Sequence, residues 1–158
     1  MSGGPPPGFT ITVAGPDEAA AFAAIHAQCF AAAWDAATFH VHLSAPTGLS
    51  FKAARAEAPR RLIGFLLARI AGGEGEVLAM GVLPAERGKG TARAMLDALL
   101  LNSRARGTAC IHLEVAADNG PAIAVYRAAG FATTGRRAAY YVEAGKPPAD
   151  ALIMTARL

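Results

Sequence analysis

Cysteine is scarce in this chain: Cys29 and Cys110 are the two in 158 residues. Neither belongs to a C-x-x-C pair, and neither is read as having a histidine at ligand spacing. That excludes a disulfide scaffold and a cysteine-rich zinc site, and both thiols are expected reduced, in the core. Charge is scarce too, at 17% of residues against 53% hydrophobic. Such a chain buries enough apolar surface to fold and is not a disordered tract. No Lys/Arg run with interleaved aromatics occurs, and the net charge is only +3. Direct nucleic-acid binding is therefore not expected, whereas a small acidic ligand is compatible. No apolar run approaches the roughly 18 residues of a membrane span. Met1–Gly8 is rich in Gly and Pro and lacks the basic and apolar regions of a signal peptide. It reads as a flexible tail ahead of one domain over 9–158, in a cytoplasmic protein with no membrane partner.

What is present is a regular alternation of strand and helix signals. Phe9–Val13 alternates as a strand, and Pro16-Asp17-Glu18 opens a helix with Phe22, Ile25, Cys29 and Phe30 on its buried stripe. A short helix is predicted over 34–43, opening at Asp35. Leu49–Arg55 and Leu62–Ile70 read as a hairpin, with Ala58-Pro59-Arg60 as its turn. After Gly72-Gly73 a third strand runs from Glu76 to Leu83. A helix follows Gly90 with Ala92, Met95, Leu96, Leu99 and Ser103 on one face, and Gly107 ends it. Ala109–Val115 is a strand. Asp118-Asn119 is a cap pair for a helix carrying Ile123, Val125 and Tyr126, which Gly130 stops. Phe131–Val142 and Ala151–Leu158 are the last strands. The order predicts a single-domain mixed α/β fold.

The stretch with the most chemistry joins a strand to a long helix: Met80-Gly81-Val82, then Leu83 to Arg87, then Gly88-Lys89-Gly90-Thr91-Ala92-Arg93. A glycine-rich turn at a helix start lets several N–H groups face one anion, and the helix dipole adds to the pull. Arg87, Lys89 and Arg93 add positive charge. This predicts a phosphate or pyrophosphate cradle. A nucleotide P-loop fails, because Gly90 follows Lys89 where Ser or Thr is needed. A dinucleotide fingerprint fails, because Arg93 stands where a small residue is needed.

The pattern Arg87-x-x-Gly90-x-Ala92 instead resembles the pyrophosphate motif of the GNAT acetyltransferases. Leu113-Glu114-Val115, followed by Asn119-x-x-Ala122-Ile123-x-Val125-Tyr126-x-x-x-Gly130-Phe131, resembles the ribosomal-protein-alanine N-acetyltransferase branch of that family. Gly135-x-Arg137-x-x-Tyr140-Tyr141 and Trp34-Asp35-x-x-x-Phe39 resemble two further segments of the branch, with Asp35 where Ser or Thr is usual. The resemblance spans 9–158. It implies the GNAT fold, a mixed and mostly antiparallel sheet of about seven strands flanked by about four helices. It implies acetyl-CoA as co-substrate, held by Arg87, Gly88, Lys89, Gly90, Thr91, Ala92 and Arg93 at the pyrophosphate. Met80, Gly81 and Val82 would pair with the pantetheine arm, and Asn119 joins the same set. Glu114 is implied as the base and Tyr126 as the acid. Ala116 departs from the branch, which usually has arginine after L-E-V, and this bears on peptide recognition.

The residues themselves make that pair plausible. Helical side chains lean toward the N-terminus, so Tyr126, two turns into its helix, reaches back toward the strand end carrying Glu114. Regular alternation puts His112 on the Glu114 face, where it could tune or replace the base. His26, His40 and His42 are scattered, and no metal site is expected. A free α-amine of pKa about 8 costs about 1.4 kcal/mol to neutralise at pH 7, against about 4.6 for a lysine of pKa about 10.4. One carboxylate suits the α-amine better, and the branch resemblance points the same way, to a protein N-terminus such as that of a ribosomal protein. A small-molecule amine acetyltransferase and a non-catalytic acetyl-CoA-binding module are the competing readings.

Overall fold

The computed structural model describes residues 8–158, so the tail expected over Met1–Gly8 lies, apart from Gly8, outside the described residues. The chain forms β1 (Phe9–Ala14), α1 (Ala19–Cys29), α2 (Ala36–Ser44), β2 (Ser50–Arg55), β3 (Ala58–Ala71) and β4 (Glu74–Val82). Then come α3 (Thr91–Ala105), β5 (Cys110–Ala116), α4 (Gly120–Ala128), β6 (Ala132–Tyr141) and β7 (Ala149–Arg157). The seven strands make one sheet in the order β1-β2-β3-β4-β5-β7-β6. Every neighbour pair is antiparallel except β4 with β5.

The period-2 alternation sorts side chains onto two faces. Leu66 and Ala68 of β3 and Ile111, Leu113 and Val115 of β5 pack under α3 and α4, against Met95, Leu96, Leu99, Ile123 and Tyr126. Phe65 and Leu67 point the other way, against Phe22 and Ile25 of α1 and Phe39 and Leu43 of α2. Asp35 starts α2 in place of the Ser or Thr usual there: its carboxylate accepts from the Thr38 N–H at 2.9 Å and the Thr38 hydroxyl at 2.8 Å. A shorter oxygen-bearing side chain would make the same cap.

Two local expectations need correction. Ala58-Pro59-Arg60 is not the β2–β3 turn, which is made by Ala56 and Glu57; those three residues begin β3. The ladder passes from Ala54↔Leu62 to Arg55↔Ala58, so Pro59 falls in a bulge where its missing N–H costs no ladder bond. β6 is not a simple strand either. Its register jumps from Arg137↔Ala151 to Tyr141↔Ala149, and Ala139 lies at φ 51. The Ala139 N–H donates to Asp150 Oδ1 at 2.8 Å, which holds this left-handed residue in place.

One feature of the sheet positions the site. β4 and β5 pair only through Glu74↔Cys110, Gly75↔Ile111 and Glu76↔His112. Just beyond, the β3–β4 ladder skips from Ala68↔Val77 to Leu67↔Ala79, so Leu78 is an extra residue in β4. A bulge bends its strand and raises the local twist. β4 therefore leaves β5, and the C-terminal halves of this parallel pair of strands stand apart.

Candidate active site

The end of β4 and the loop after it are built around glycine. A Cβ on Gly81 would sit 2.9 Å from Phe65 Cε1 and 3.1 Å from Cys29 Sγ, so only glycine lets β3 and α1 close against the strand here. The Val82 carbonyl accepts from Arg87 Nε at 3.0 Å, which folds the loop back onto the strand. Gly88 and Gly90 lie at φ +77 and +84, a region that L side chains rarely adopt. No backbone carbonyl among the described residues accepts from the N–H groups of Gly88 to Arg93. A run of free N–H groups at the start of a 15-residue helix is an anion nest. The Thr91 hydroxyl, in the first turn, is buried without a partner. The residues present therefore fit a pyrophosphate.

The loop cations are tethered rather than free. Lys89 Nζ donates to Glu86 Oε2 at 3.2 Å, and Arg55 donates to the other oxygen of the same buried carboxylate. Burial raises the Glu86 pKa, but hydrogen bonds from Lys89 and Arg55 and their charges outweigh it, leaving it below the usual carboxylate range. Arg93 Nε donates to Asp97 at 2.9 Å, one turn further along α3.

Glu114 is placed as its strand position requires. Leu113 and Val115 point into the α3/α4 core, so Glu114 points to the opposite face of β5. There it lines a groove of about 570 Å³ together with Arg69, Glu74, Glu76, His112 and Arg137. Arg137 Nη2 sits 3.2 Å from Glu114 Oε1, and the carboxylate side chain is 30% exposed. His112 shares this groove, as alternation predicts.

Tyr126 is buried in α4, edge-on to Phe131 at 6.0 Å between ring centroids. Burial, with a smaller push from Tyr141, raises its pKa to about 12. It therefore stays protonated at neutral pH. No hydrogen bond joins Tyr126 to Glu114. Tyr141 stands between them electrostatically: burial and then Glu114 raise its own pKa, and it in turn acts on Tyr126. Tyr141 follows the bulge in β6 and is 38% exposed, while Arg137 lies 5.3 Å over the neighbouring Tyr140 ring.

Asn119 caps α4, its side-chain oxygen accepting from the Ala122 N–H at 3.3 Å. That oxygen is committed to the helix, and only the amide N–H groups remain for a ligand. Met80 is half-buried at the diverging end of β4. Arg137 and Tyr141 are site residues to which motif reading assigned no role. Their signal was present in the Gly135–Tyr141 segment, but the β5-β7-β6 pairing that sets Arg137 beside Glu114 leaves no mark in strand periodicity.

Comparison with known proteins decides the family. Residues 19–131 match the model of the acetyltransferase (GNAT) family. The chain belongs to the GNAT acetyltransferases. It is 38% identical over 125 residues to the N-alpha-acetyltransferase RimI of Mycobacterium tuberculosis, covering 77% of this chain and 73% of that one. Its fold matches the crystal structure of the ribosomal-protein-S18-alanine N-acetyltransferase of Escherichia coli with a TM-score of 0.86, at 27% identity, over 94% of this chain and 93% of that one. It is also 43% identical over 75 residues to the mycothiol acetyltransferase of Clavibacter michiganensis. The chain spans only 24% of that relative's length, and 21% of another it matches over about half of itself. No helix among the described residues is long and apolar enough to cross a membrane.

Proposed function

We propose that this GNAT acetyltransferase acetylates the α-amine of a protein N-terminus, in the manner of the ribosomal-protein-alanine N-acetyltransferases. The observation that carries the reading is the placement of Glu114. Its carboxylate faces an open, charged groove at the point where β4 and β5 part, while the anion nest lies at the far end of β4. The two substrates thus have separate surfaces that meet at the gap. The RimI of Mycobacterium tuberculosis, 38% identical over 77% of this chain, supports the same substrate class.

In this reading the N–H groups of Gly88 to Arg93 hold the pyrophosphate, with Arg87, Lys89 and Thr91 completing the loop. The diverging backbone of Met80, Gly81 and Val82 receives the pantetheine arm, and Asn119 offers its amide N–H groups. One backbone donor at the thioester oxygen is worth on the order of 3 kcal/mol in the transition state. Glu114 takes a proton from the incoming ammonium, directly or through water. The amine nitrogen then attacks the thioester carbon, the C–S bond breaks as the C–N bond forms, the nitrogen sheds its second proton to solvent, and the thiolate takes one up to leave as the free thiol. Tyr126 donates its O–H toward the departing sulfur. Arg137 holds the Glu114 carboxylate in the groove, and it must release that oxygen when the substrate ammonium arrives.

The test is direct. Purified protein is mixed with acetyl-CoA and a short Ala-started peptide copied from the host's small-subunit ribosomal protein, and CoA release and peptide mass are read together. A gain of one acetyl on the terminal amine bears the proposal out. Turnover on no terminal peptide overturns it. The relatives named mycothiol acetyltransferase favour a second reading, a small-molecule amine as acceptor. A panel of metabolite amines outperforming every peptide would establish that reading instead. A non-catalytic acetyl-CoA-binding module would bind the cofactor and acetylate neither.

A further inference from the structure

Outside the proposed acetyl-transfer pair, one cluster of metal-ligating side chains stands at the closed end of the same groove. Cys110 and His112 lie two residues apart on β5 and share a face, so the cysteine does have a histidine at ligand spacing, on a strand. Cys110 Sγ is 3.3 Å from His112 Nε2. Glu74, paired with Cys110 across the β4–β5 ladder, brings Oε2 to 3.6 Å from the same nitrogen. Their ligand atoms all lie within 4.8 Å of one another.

The geometry points to a zinc-type divalent cation site made of Glu74, Cys110 and His112. Ligand–metal bonds of ordinary zinc length at tetrahedral angles put sulfur and nitrogen about 3.5 Å apart, and nitrogen and oxygen about 3.4 Å apart. The observed 3.3 and 3.6 Å are close to both values. Thiolate, imidazole and carboxylate together suit zinc or cobalt better than magnesium or calcium.

A second observation, outside the three ligands, orients the imidazole. His112 Nδ1 lies 2.8 Å from Thr155 Oγ1, which lies 2.8 Å from Thr134 Oγ1, and the Thr134 hydroxyl in turn reaches the Ile153 carbonyl at 3.4 Å. This anchors the ring through Nδ1 and turns Nε2 toward Cys110 and Glu74. A metal on Nε2 leaves the ring proton on Nδ1, where Thr155 accepts it while donating its own proton to Thr134. This is the outer-shell arrangement that sets the tautomer of metal-bound histidines. Sulfur, nitrogen and carboxylate oxygen thus converge on one point. Binding expels the thiol proton from Sγ and leaves a thiolate, a carboxylate, a neutral imidazole and one open coordination position.

The test uses the full reduced chain, freed of metal and titrated with Co²⁺, whose thiolate charge-transfer absorption in the near ultraviolet reports sulfur ligation. The band is expected in the wild type and in Cys29→Ser, to be bleached by Zn²⁺, and to be lost in Cys110→Ser. His112→Gln and Glu74→Gln should each weaken Zn²⁺ binding at least about 10-fold, and Thr155→Val by about 10- to 100-fold, with far-ultraviolet circular dichroism unchanged. A band that survives in Cys110→Ser, one that follows Cys29 instead, or none in the folded wild type would overturn the assignment.

Discussion

Replacing Tyr126 by phenylalanine isolates one hydroxyl. The ring stays edge-on to Phe131 in the α4 core, so packing changes little. The pKa of Tyr126, raised to about 12, decides how large the effect is. A thiol leaving group has pKa about 8.5, so full proton transfer from the phenol to the thiolate would be uphill by about 3.5 units, near 5 kcal/mol. In the proposed mechanism Tyr126 is therefore a hydrogen-bond donor to the sulfur while charge builds there, and the proton reaches the thiolate only as product leaves. A hydrogen bond to a charged group is worth about 1.5–3 kcal/mol, equivalent to about 10- to 150-fold in rate. The loss should fall on kcat, because the neutral thioester offers the hydroxyl a far weaker acceptor, and KM for acetyl-CoA should stay within about 3-fold. CoA release with an Ala-started peptide measures both constants. A kcat within 3-fold of wild type, or a loss carried entirely by KM, would refute this role. A fall larger than about 10³-fold would also count against it, since it would imply that the phenol completes proton transfer in the transition state.

Three further outcomes follow from the same geometry. Glu114→Gln keeps the side chain's shape and its neighbour Arg137 but removes the base; kcat/KM should fall by about 10²-fold or more at pH 7 with little change in Tm, and an unchanged rate would move the base elsewhere in the groove. Gly90→Ala meets no atom but must hold φ +84, so it costs about 1–2 kcal/mol of strain and should raise KM for acetyl-CoA more than it lowers kcat; an unchanged KM would separate this loop from the pyrophosphate. Tyr126 also gives a pH signature. Its folded pKa is raised from 10 to about 12, so the folded state keeps a proton that the unfolded chain loses. Its contribution is fully present below pH 10 and is lost as pH rises through 12, up to about 3 kcal/mol. The wild type should lose more stability than Tyr126→Phe across that window, and parallel melting curves would contradict the burial of the phenol.

The distance between what the sequence revealed and what it hid can be traced to range. Gly88, Gly90 and Thr91 act through local backbone geometry, so the anion nest could be read from a dozen consecutive residues. Alternation within β5 was equally local, and it placed Glu114 and His112 on one face correctly. The position of Asp35 as a helix cap follows from three residues. The parting of β4 and β5 does not have this character. It depends on a ladder that ends at Glu76↔His112 and on one extra residue, Leu78, accommodated opposite Leu67 and Ala68. No turn residue marks that bulge, because its cause is pairing with β3.

The same limit explains why the nearness of Cys110 to His112 and Glu74 was not read from the sequence. Ligand spacings such as C-x-x-C describe turns that bring two side chains together locally. On a strand, positions i and i+2 do this with any residue between them, so Cys110-Ile111-His112 carries no signature. Glu74 joins them only because the parallel ladder pairs it with Cys110, 36 residues away by number. Arg137 reaches Glu114 across β7: Glu114 and Gly135 both pair with Ile153, and Arg137, two residues beyond Gly135 and still in register with Ala151, shares their face. The register breaks only after Arg137, where Ala139 turns through a left-handed conformation held by Asp150. The arginine that faces Glu114 thus lies on the edge strand, two strands away in the sheet, and that relation is set by the pairing of β5, β7 and β6 rather than by any local pattern.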